Sequence, residues 1–225
     1  MSGAGTEQSA GATLRERLLR ASLAHVAFDG WSETALEAGA RDLGVDPAAA
    51  RGAFARGSID LVIAFSEWAD REMEAVLAAR DLGALKVRER IAAAVRARLE
   101  VCAEHREAVR LAISLLALPV HAPDATRYLY RTVDAMWHAV GDRSTDLNFY
   151  TKRALLAGVQ LSTTLYWLQD NSEDAEASWE FLDRRIGDVL KIQTVRGRLE
   201  KLGVGQPSLL RLLRQFAEKG RRPAA

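Results

Sequence analysis

Apolar residues recur every three or four positions along almost the whole chain. The positions that show this most clearly are Leu14, Leu18, Leu19, Leu23, Val26, Leu36, Ala40, Leu43, Val87, Ile91, Val95, Leu99 and Cys102. This spacing is the period of an amphipathic α-helix. No stretch alternates apolar and polar residues between hairpin turns, and Leu and Ala, which favour helices, outnumber Val and Ile. The sequence therefore predicts an all-α fold.

Glycine, serine and proline residues divide this pattern into three short helices followed by longer ones. Gly30 is predicted to end the first helix, Ser32 to cap the second and Gly44 to end it. Asp46 followed by Pro47 is a capping residue with proline at the first helical position. Further breaks are predicted at Gly57-Ser58, at Gly83, from Pro119 to Pro123, from Gly141 to Thr145 and from Asp170 to Glu173. About five long helices follow the three short ones on this division.

Composition and charge narrow the choice of function. The 225 residues include 31 Lys and Arg against 30 Asp and Glu, a formal net charge of +1. The overall charge thus gives no argument for a nucleic-acid or anionic partner. Cys102 is the single cysteine and lies in an apolar helical stretch, where a buried side chain is favoured over a reactive thiol. This cysteine usage fits a reducing compartment.

The N-terminal residues 1–13 are rich in Gly, Ser and Ala, with one acidic residue and no Lys or Arg. They lack the charged-then-apolar order of a secretion signal and the arginines of an organelle transit peptide. We expect them to form a disordered N-terminal segment, called the lead below. No run approaches the ~18 apolar residues of a membrane span. These features predict a bacterial-type cytoplasmic protein that is soluble or lies on a membrane without crossing it. Together with the C-terminal segment described below, they predict peripheral association with the inner membrane.

The region HVAFDGWSETALEAGARDLGV, residues 25–45, places Gly30 and Trp31 after the first helix and Gly44 and Val45 at a turn. In these features the chain resembles the tetracycline-repressor family. Proteins of that family join a small N-terminal helix-turn-helix domain to a larger helical domain that binds ligands and forms dimers. The resemblance implies this fold for the chain, and it says little about function.

The helix in the position of a DNA-reading helix lacks the side chains that read DNA. Direct readout needs Arg, Lys, Asn or Gln at the positions that face the groove. In residues 46–54 only Arg51 could reach a base edge, and Asp46 would face phosphates with the wrong sign, although it is equally an N-cap. The preceding helix has the charged residues Glu33, Glu37, Asp42 and Arg41. Such a surface cannot neutralise several phosphates, so no sequence-specific DNA binding is predicted.

Residues 136–185 carry a second, more specific resemblance. The matching elements are Met136-Trp137-His138, Gly141-Asp142, Ser144-Thr145-Asp146, Phe149-Tyr150, Arg153-Ala154, Gln169-Asp170, Trp179 and Phe181-Leu182. They resemble the coenzyme Q biosynthesis accessory protein family, lipid-binding proteins of mitochondria and proteobacteria with a tetracycline-repressor-like fold. That family has a bulkier tryptophan at the position of Phe149. The resemblance extends over about residues 14–219.

The resemblance implies a protein that is not an enzyme and that uses no cofactor. It implies a homodimer that binds an isoprenoid or quinone-like lipid and presents the polyprenyl quinone precursor to a di-iron hydroxylase, which oxidises the ring of demethoxyubiquinol. Two alternatives belong to other classes. One is a ligand-responsive transcriptional repressor, which the fold favours, and the other is a structural adaptor dimer without lipid.

A candidate partner site lies where the helix after residue 141 begins. Residues 144–146 are explained by helix capping and by the helix dipole. Phe149 and Tyr150 are not, because adjacent helical residues point ~100° apart and cannot both enter one narrow seam. The aromatic patch is the name used below for Asp146, Phe149, Tyr150 and Arg153. A partner contact and a purely structural role are both open for this patch.

Tryptophans in the second half are candidates for the wall of a lipid pocket. Trp137, Trp167 and Trp179 have apolar neighbours, and Met136 and Trp137 are the lipid-binding candidates. Aromatic and apolar residues at helical spacing are more often plain core, yet apolar cavities in helical bundles are common binding sites. Both interpretations are open.

Catalytic and metal-binding signals are not found in the sequence. The histidines are His25, His105, His121 and His138, in four different segments and without a Glu-x-x-His pair. No phosphate-binding loop and no nucleophile turn occurs. We predict no catalytic residues and no metal site.

The C-terminal segment QPSLLRLLRQFAEKGRR, residues 206–222, predicts an amphipathic helix that binds an anionic membrane surface. Its membrane-binding candidates are Leu209, Leu210, Arg211, Leu212, Leu213, Arg214 and Phe216. Docking on the helical bundle is the alternative. The predicted domains are the lead at 1–13, a vestigial helix-turn-helix domain at 14–57, a ligand-binding and dimerisation domain at 58–193, and a linker with the amphipathic helix at 194–225.

Overall fold

The structure of the protein, a computed structural model, describes residues 13–141 and 148–201, without the side chains of residues 148–150 and 190–201. The helices are α1 (Leu14–Asp29), α2 (Glu33–Asp42), α3 (Pro47–Ala53), α4 (Ser58–Ala78), α5 (Val87–Val101), α6 (Arg106–Leu116), α7 (Ala122–Ala139), α8 (Asn148–Trp167) and α9 (Glu176–Lys201). Short 3-10 turns occur at Ala103–His105, Pro119–His121 and Glu173–Ala175. No strand is present in the described ranges, which confirms the all-α prediction.

The predicted helix ends at the N-terminal side are confirmed residue by residue. The hydroxyl of Ser32 accepts a hydrogen bond from the backbone N–H of Ala35 at 3.2 Å, and the carboxylate of Asp46 accepts one from Ala49 at 3.2 Å. Gly44 follows α2 with φ of 64°, a conformation that glycine adopts without steric cost. Capping and backbone freedom therefore fix the turn between α2 and α3.

One helix boundary was not predicted. The apolar pattern runs on through Cys102, but α5 ends at Val101 and a 3-10 turn at Ala103–His105 separates it from α6. Six helices therefore follow the three short ones in the described ranges, rather than about five. Cys102 itself is buried, as predicted.

The chain divides into two units, Met1–Leu182 and Asp183–Ala225. In the first unit α1 packs on α2, α4 and α6, α4 packs on α5 and α7, and α7 packs on α8. The α1–α2 contact is close because residue 39 is glycine: a Cβ there would lie 2.6 Å from the backbone nitrogen of Ser22. In the second unit Arg185 pairs with Asp188 at 2.8 Å.

Trp31 joins the three N-terminal helices to the rest of the first unit. Its indole N–H donates to the carbonyl of Ala108 in α6 at 2.9 Å, and its ring packs on Phe65 of α4 with centroids 5.3 Å apart. Trp68 stacks on Phe65 in turn, at 5.6 Å. A buried aromatic cluster of this kind buries a large apolar area, so it anchors α1–α3 to α4 and α6.

Candidate functional site

The side chain with the best position for reading DNA is held by acidic residues. Arg51 of α3 donates to the carboxylate of Glu37 at 2.5 Å, and its guanidinium lies 3.6 Å from Glu33. Both acids belong to α2, the helix that precedes the turn. A DNA phosphate or base edge would have to displace these partners and would meet their negative charge. The geometry thus supports the interpretation of α3 as a retained fold element without reading chemistry.

A buried polar network connects α4, α5 and α7. The guanidinium of Arg98 donates to Asp70 at 2.7 Å and to the sulfur of Cys102 at 2.9 Å, and the hydroxyl of Thr132 donates to Asp70 at 3.0 Å. Arg98, Asp70 and Thr132 are all buried. Because each charged group has a partner, the network satisfies the hydrogen bonds that burial removes from water.

Burial and charge pairing shift the pKa values of groups in this network. Burial raises the pKa of the Cys102 thiol, although Arg98 opposes the shift. Burial likewise raises the pKa of the Tyr128 hydroxyl, which lies 3.4 Å from the Arg98 guanidinium. A buried, protonated thiol is a poor nucleophile. Cys102 is therefore a structural residue of the network.

Two cavities lined by described residues lie between α4 and α7, and both are charged. One has a volume of about 230 Å³ and is lined by residues that include Arg56, Ser66, Asp124, Arg127 and Tyr128. The other has a volume of about 450 Å³ and is lined by residues that include Asp70, Arg71, Glu74, Asp134 and His138. Sites for apolar ligands are lined mainly by apolar and aromatic side chains. Neither cavity suits a polyprenyl chain.

The lipid-binding candidates Met136 and Trp137 lie in the core near the end of α7. Both are buried, and neither lines either of the two charged cavities. The ammonium of Lys152 lies 5.5 Å from the centroid of the Trp137 ring. The structure places these side chains among core residues, and their predicted contact with lipid stays a prediction.

The aromatic patch is described only in part. Asp146 lies outside the described residues; Phe149 and Tyr150 belong to the first turn of α8, but their side chains also lie outside the description. Arg153 is only 6% exposed, and its guanidinium binds Asp134 of α7 at 2.5 and 2.6 Å. Arg153 thus ties the start of α8 to α7, and its role in a partner contact stays a prediction.

Two of the tryptophans named from the sequence are held by arginines. The guanidinium of Arg106 lies 4.5 Å from the centroid of the buried Trp167 ring and donates to the carbonyls of Trp167 and Asp170. Arg96 lies 4.8 Å from the centroid of the Trp179 ring. These cation–π contacts give both rings a structural role.

Asp170 organises the turn between α8 and α9. Its carboxylate accepts hydrogen bonds from the backbone N–H groups of Ser172 and Ser178, each at 2.8 Å, and from both hydroxyls, at 2.6 and 2.5 Å. Although burial works against the charged form, these hydrogen bonds lower the pKa of Asp170 to about 2. The motif that contains Asp170 did not predict this role in the turn.

Among the described residues, no single helix has the length and apolar character needed to cross a membrane. The segments Ala103–Leu116 and Pro119–Ala139 meet that test only together, with a bend of 93° between them. Within the described ranges no group of three or more His, Cys, Asp or Glu residues could hold a metal ion.

The fold defines a class of protein. The structure is similar to the TetR transcriptional regulator from Nitrosomonas europaea ATCC 19718, with a TM-score of 0.64 and 22% sequence identity over 78% of this chain and 97% of that chain. At this identity the likeness shows the fold alone. The tetracycline-repressor-like all-α fold predicted from the sequence is thereby confirmed.

Sequence comparison narrows the class to a family. Residues 122–193 match the COQ9 family. The mitochondrial ubiquinone biosynthesis protein COQ9 of Rattus norvegicus is 34% identical over 197 residues, which is 84% of this chain and 63% of that protein. The corresponding human protein is 34% identical over 84% of this chain and 62% of its own length. The chain belongs to the COQ9 family, and it spans about three fifths of the length of these relatives.

One prediction from the sequence is wrong by this comparison. A bacterial-type cytoplasmic location was expected, but the relatives from Rattus norvegicus, Homo sapiens, Xenopus laevis and Drosophila melanogaster are all named mitochondrial proteins. The composition of residues 1–13 was therefore no guide to the compartment.

Proposed function

We propose that this protein is a non-enzymatic accessory protein of ubiquinone biosynthesis that binds an isoprenoid or quinone-like lipid. It presents the polyprenyl quinone precursor to a di-iron hydroxylase. The observation that carries the proposal is the similarity to COQ9 proteins over 84% of the chain. We place the isoprenoid near Met136 and Trp137, whose apolar side chains lie near the end of α7, because sites for apolar ligands are lined mainly by apolar and aromatic side chains.

The main alternative is a ligand-responsive repressor, which has the same fold. The pairing of Arg51 with Glu37 and Glu33 argues against it. An operator-binding protein needs several free cations and base-reading groups on its reading helix, whereas α3 contains only alanine, glycine and proline besides Arg51. The accessory role needs no such chemistry.

The proposed contact with the hydroxylase is the aromatic patch. Large aromatic side chains at the centre of an interface often supply most of its binding energy. The ion pair between Arg153 and Asp134 at 2.5 Å supports this location, because it fixes the start of α8 on α7 and so gives residues 149 and 150 a rigid base. Arg153 acts in this proposal as a positioning residue.

The proposed assembly is a homodimer. On α8, Leu161 and Leu165 lie one turn apart and are each 44% exposed. The neighbouring Tyr166 stacks on Phe181 with centroids 4.5 Å apart. This apolar stripe supports association of two copies through α8, and changing both leucines to glutamate is expected to give a monomer in light scattering.

The experiment that tests the partner contact changes Phe149 and Tyr150 together to alanine. Immobilised di-iron hydroxylase should capture the double variant at least about tenfold more weakly than the unchanged protein, as expected for anchor residues. Helical content and oligomeric state should stay unchanged. Tyr130, an exposed aromatic residue of α7, provides the matched control as Tyr130→Ala, which should be captured normally. Equal capture of the double variant and the unchanged protein would contradict the proposed site.

A further inference from the structure

An uncharged apolar corner connects α6 and α7. No Asp, Glu, Lys or Arg occurs from Leu111 to Pro123, in a chain of which 27% is charged. The corner is the name used below for Leu111–Pro123. Residues 117–120 at its tip are all exposed, with Leu118 at 48% and Val120 at 74%. An exposed apolar surface without charged residues is unusual on a protein that contacts only water.

The amphipathic face of α6 is poorly covered. The buried residues of this helix are two alanines, Ala108 and Ala112, while its large apolar side chains Leu111, Ile113, Leu115 and Leu116 are half-buried. An amphipathic helix ordinarily buries its large apolar residues in the core. The apolar face of α6 therefore continues the exposed surface of the tip.

The geometry of the corner favours a bilayer as its partner. The helical segments on its two sides meet at 93°, so the exposed side chains stand at a sharp bend. A fluid bilayer accepts an apolar wedge of this form, whereas a rigid protein partner, including a second copy, would need a matching concave surface. Proteins that rest in a membrane interface bury apolar side chains about 5–10 Å into it.

The charges beside the corner fit anionic headgroups. Arg127 follows the corner and is exposed, and the neighbouring acid Asp124 pairs with Arg56 at 3.0 Å. Arg110, which precedes the corner, balances the charge of Glu107 at 3.0 Å and also donates to the carbonyl of Leu168. Basic groups beside an inserted apolar segment add attraction to anionic lipid surfaces.

We infer that the corner Leu111–Pro123 inserts into the interface of an anionic lipid bilayer. This contact is separate from the C-terminal segment and brings α6 and α7 against the lipid. The inference deepens the proposed lipid-binding function and rests on it. The corner includes the start of α7, and α7 also contains Met136 and Trp137, the proposed lipid-binding residues. Insertion of the corner would therefore bring this helix to the membrane.

The test uses an environment-sensitive nitrobenzoxadiazole label at the tip. Val120→Cys offers an exposed thiol, whereas the native Cys102 is buried and its thiol pKa is raised by burial, so it reacts slowly. Phe28→Cys gives the matched control, because Phe28 is 91% exposed and lies on α1. Both full-length variants are mixed with vesicles of phosphatidylcholine and phosphatidylglycerol.

When vesicles are added, the fluorescence emission of the label at residue 120 should shift to shorter wavelength and should be quenched by brominated lipids. The emission of the label at residue 28 should show neither change. Leu118→Ser with Val120→Ser should weaken vesicle binding about tenfold, as expected when two partly buried apolar side chains are lost, while Phe28→Ser should not. Vesicle binding with an unchanged label at residue 120 would overturn the inference and leave the proposed function standing.

Two other outcomes also overturn it. If the emission shifts to shorter wavelength as the protein concentration rises in the absence of vesicles, the corner contacts a second copy of the chain. A double serine variant that binds vesicles normally assigns membrane binding to another segment. Lipid extraction from the same unchanged protein gives a separate readout of the proposed function, so the two failures remain distinguishable.

Discussion

Arg51 and Glu37 form an ion pair of 2.5 Å between the two helices of the helix-turn-helix element. They are 14 positions apart in sequence, and the turn at Gly44 brings them together. The pair occupies the guanidinium that a DNA-binding member of the fold would direct at the groove. The protein therefore has the helix-turn-helix fold, but Arg51 on the helix in the reading position is paired with an acid.

The first prediction concerns DNA. In electrophoretic retardation the protein should show only weak, strongly salt-dependent binding to random duplexes, and footprinting should show no protected site. Changing Glu33 and Glu37 to glutamine frees Arg51 and should increase only the salt-dependent binding. A protected sequence at physiological salt would contradict the accessory function in its simple form.

The second prediction concerns the buried pair of Asp70 and Arg98. Asp70→Ala leaves the buried guanidinium without its carboxylate and should lower the free energy of unfolding by about 3–5 kcal/mol. The double variant Asp70→Leu with Arg98→Met should be clearly less destabilised, because it removes both charges. Urea denaturation measures these differences. If the double variant loses as much stability as Asp70→Leu and Arg98→Met lose together when measured singly, the two residues are not coupled.

The third prediction concerns pH. Because the folded-state pKa of Asp170 lies at about 2, below its ordinary value of 3.8, the stabilisation from its charged form is complete above about pH 5 and is lost as the pH falls towards 2. Asp170→Asn should lower the urea midpoint at pH 7 and should flatten the decline in acid. A variant with the same acid slope as the unchanged protein would exclude Asp170 as a source of that slope.

The fourth prediction concerns residues 206–222, which lie outside the described residues. The protein should float with anionic liposomes, less so as salt rises, and deletion of residues 206–225 should weaken this binding strongly while the fold is kept. Replacing Leu212, Leu213 and Phe216 with serine should have the same effect without a change of charge. Undiminished flotation of that variant would show that the segment is not an anchor.

The elements could be predicted from the sequence wherever one residue decides the local backbone. Gly44 and the Asp46-Pro47 pair marked the turn before α3 correctly. The break after α5 was missed because neither glycine nor proline marks it. Helix ends of this kind depend on tertiary packing, which the local sequence does not record.

The contacts of the candidate site were less predictable. Periodicity identified the apolar faces of helices, but Arg98, Asp70 and Thr132 belong to three different helices whose relative rotation is set by packing. The sequence left a partner contact and a structural role open for Arg153, and it did not predict the ion pair with Asp134 on the neighbouring helix. Long-range pairs of charges therefore required the structure, whereas the family was identified from the motifs alone.

The central claim, that the protein binds an isoprenoid or quinone-like lipid, is tested most directly by native mass spectrometry of the full chain, followed by lipid extraction. The protein should be purified from cells that make polyprenyl quinones. The account predicts a homodimer that carries an isoprenoid or quinone-like lipid, released when the protein is denatured. A homodimer that carries no isoprenoid lipid, and that takes up none from vesicles containing a polyprenyl quinone, would contradict the account and favour a structural adaptor.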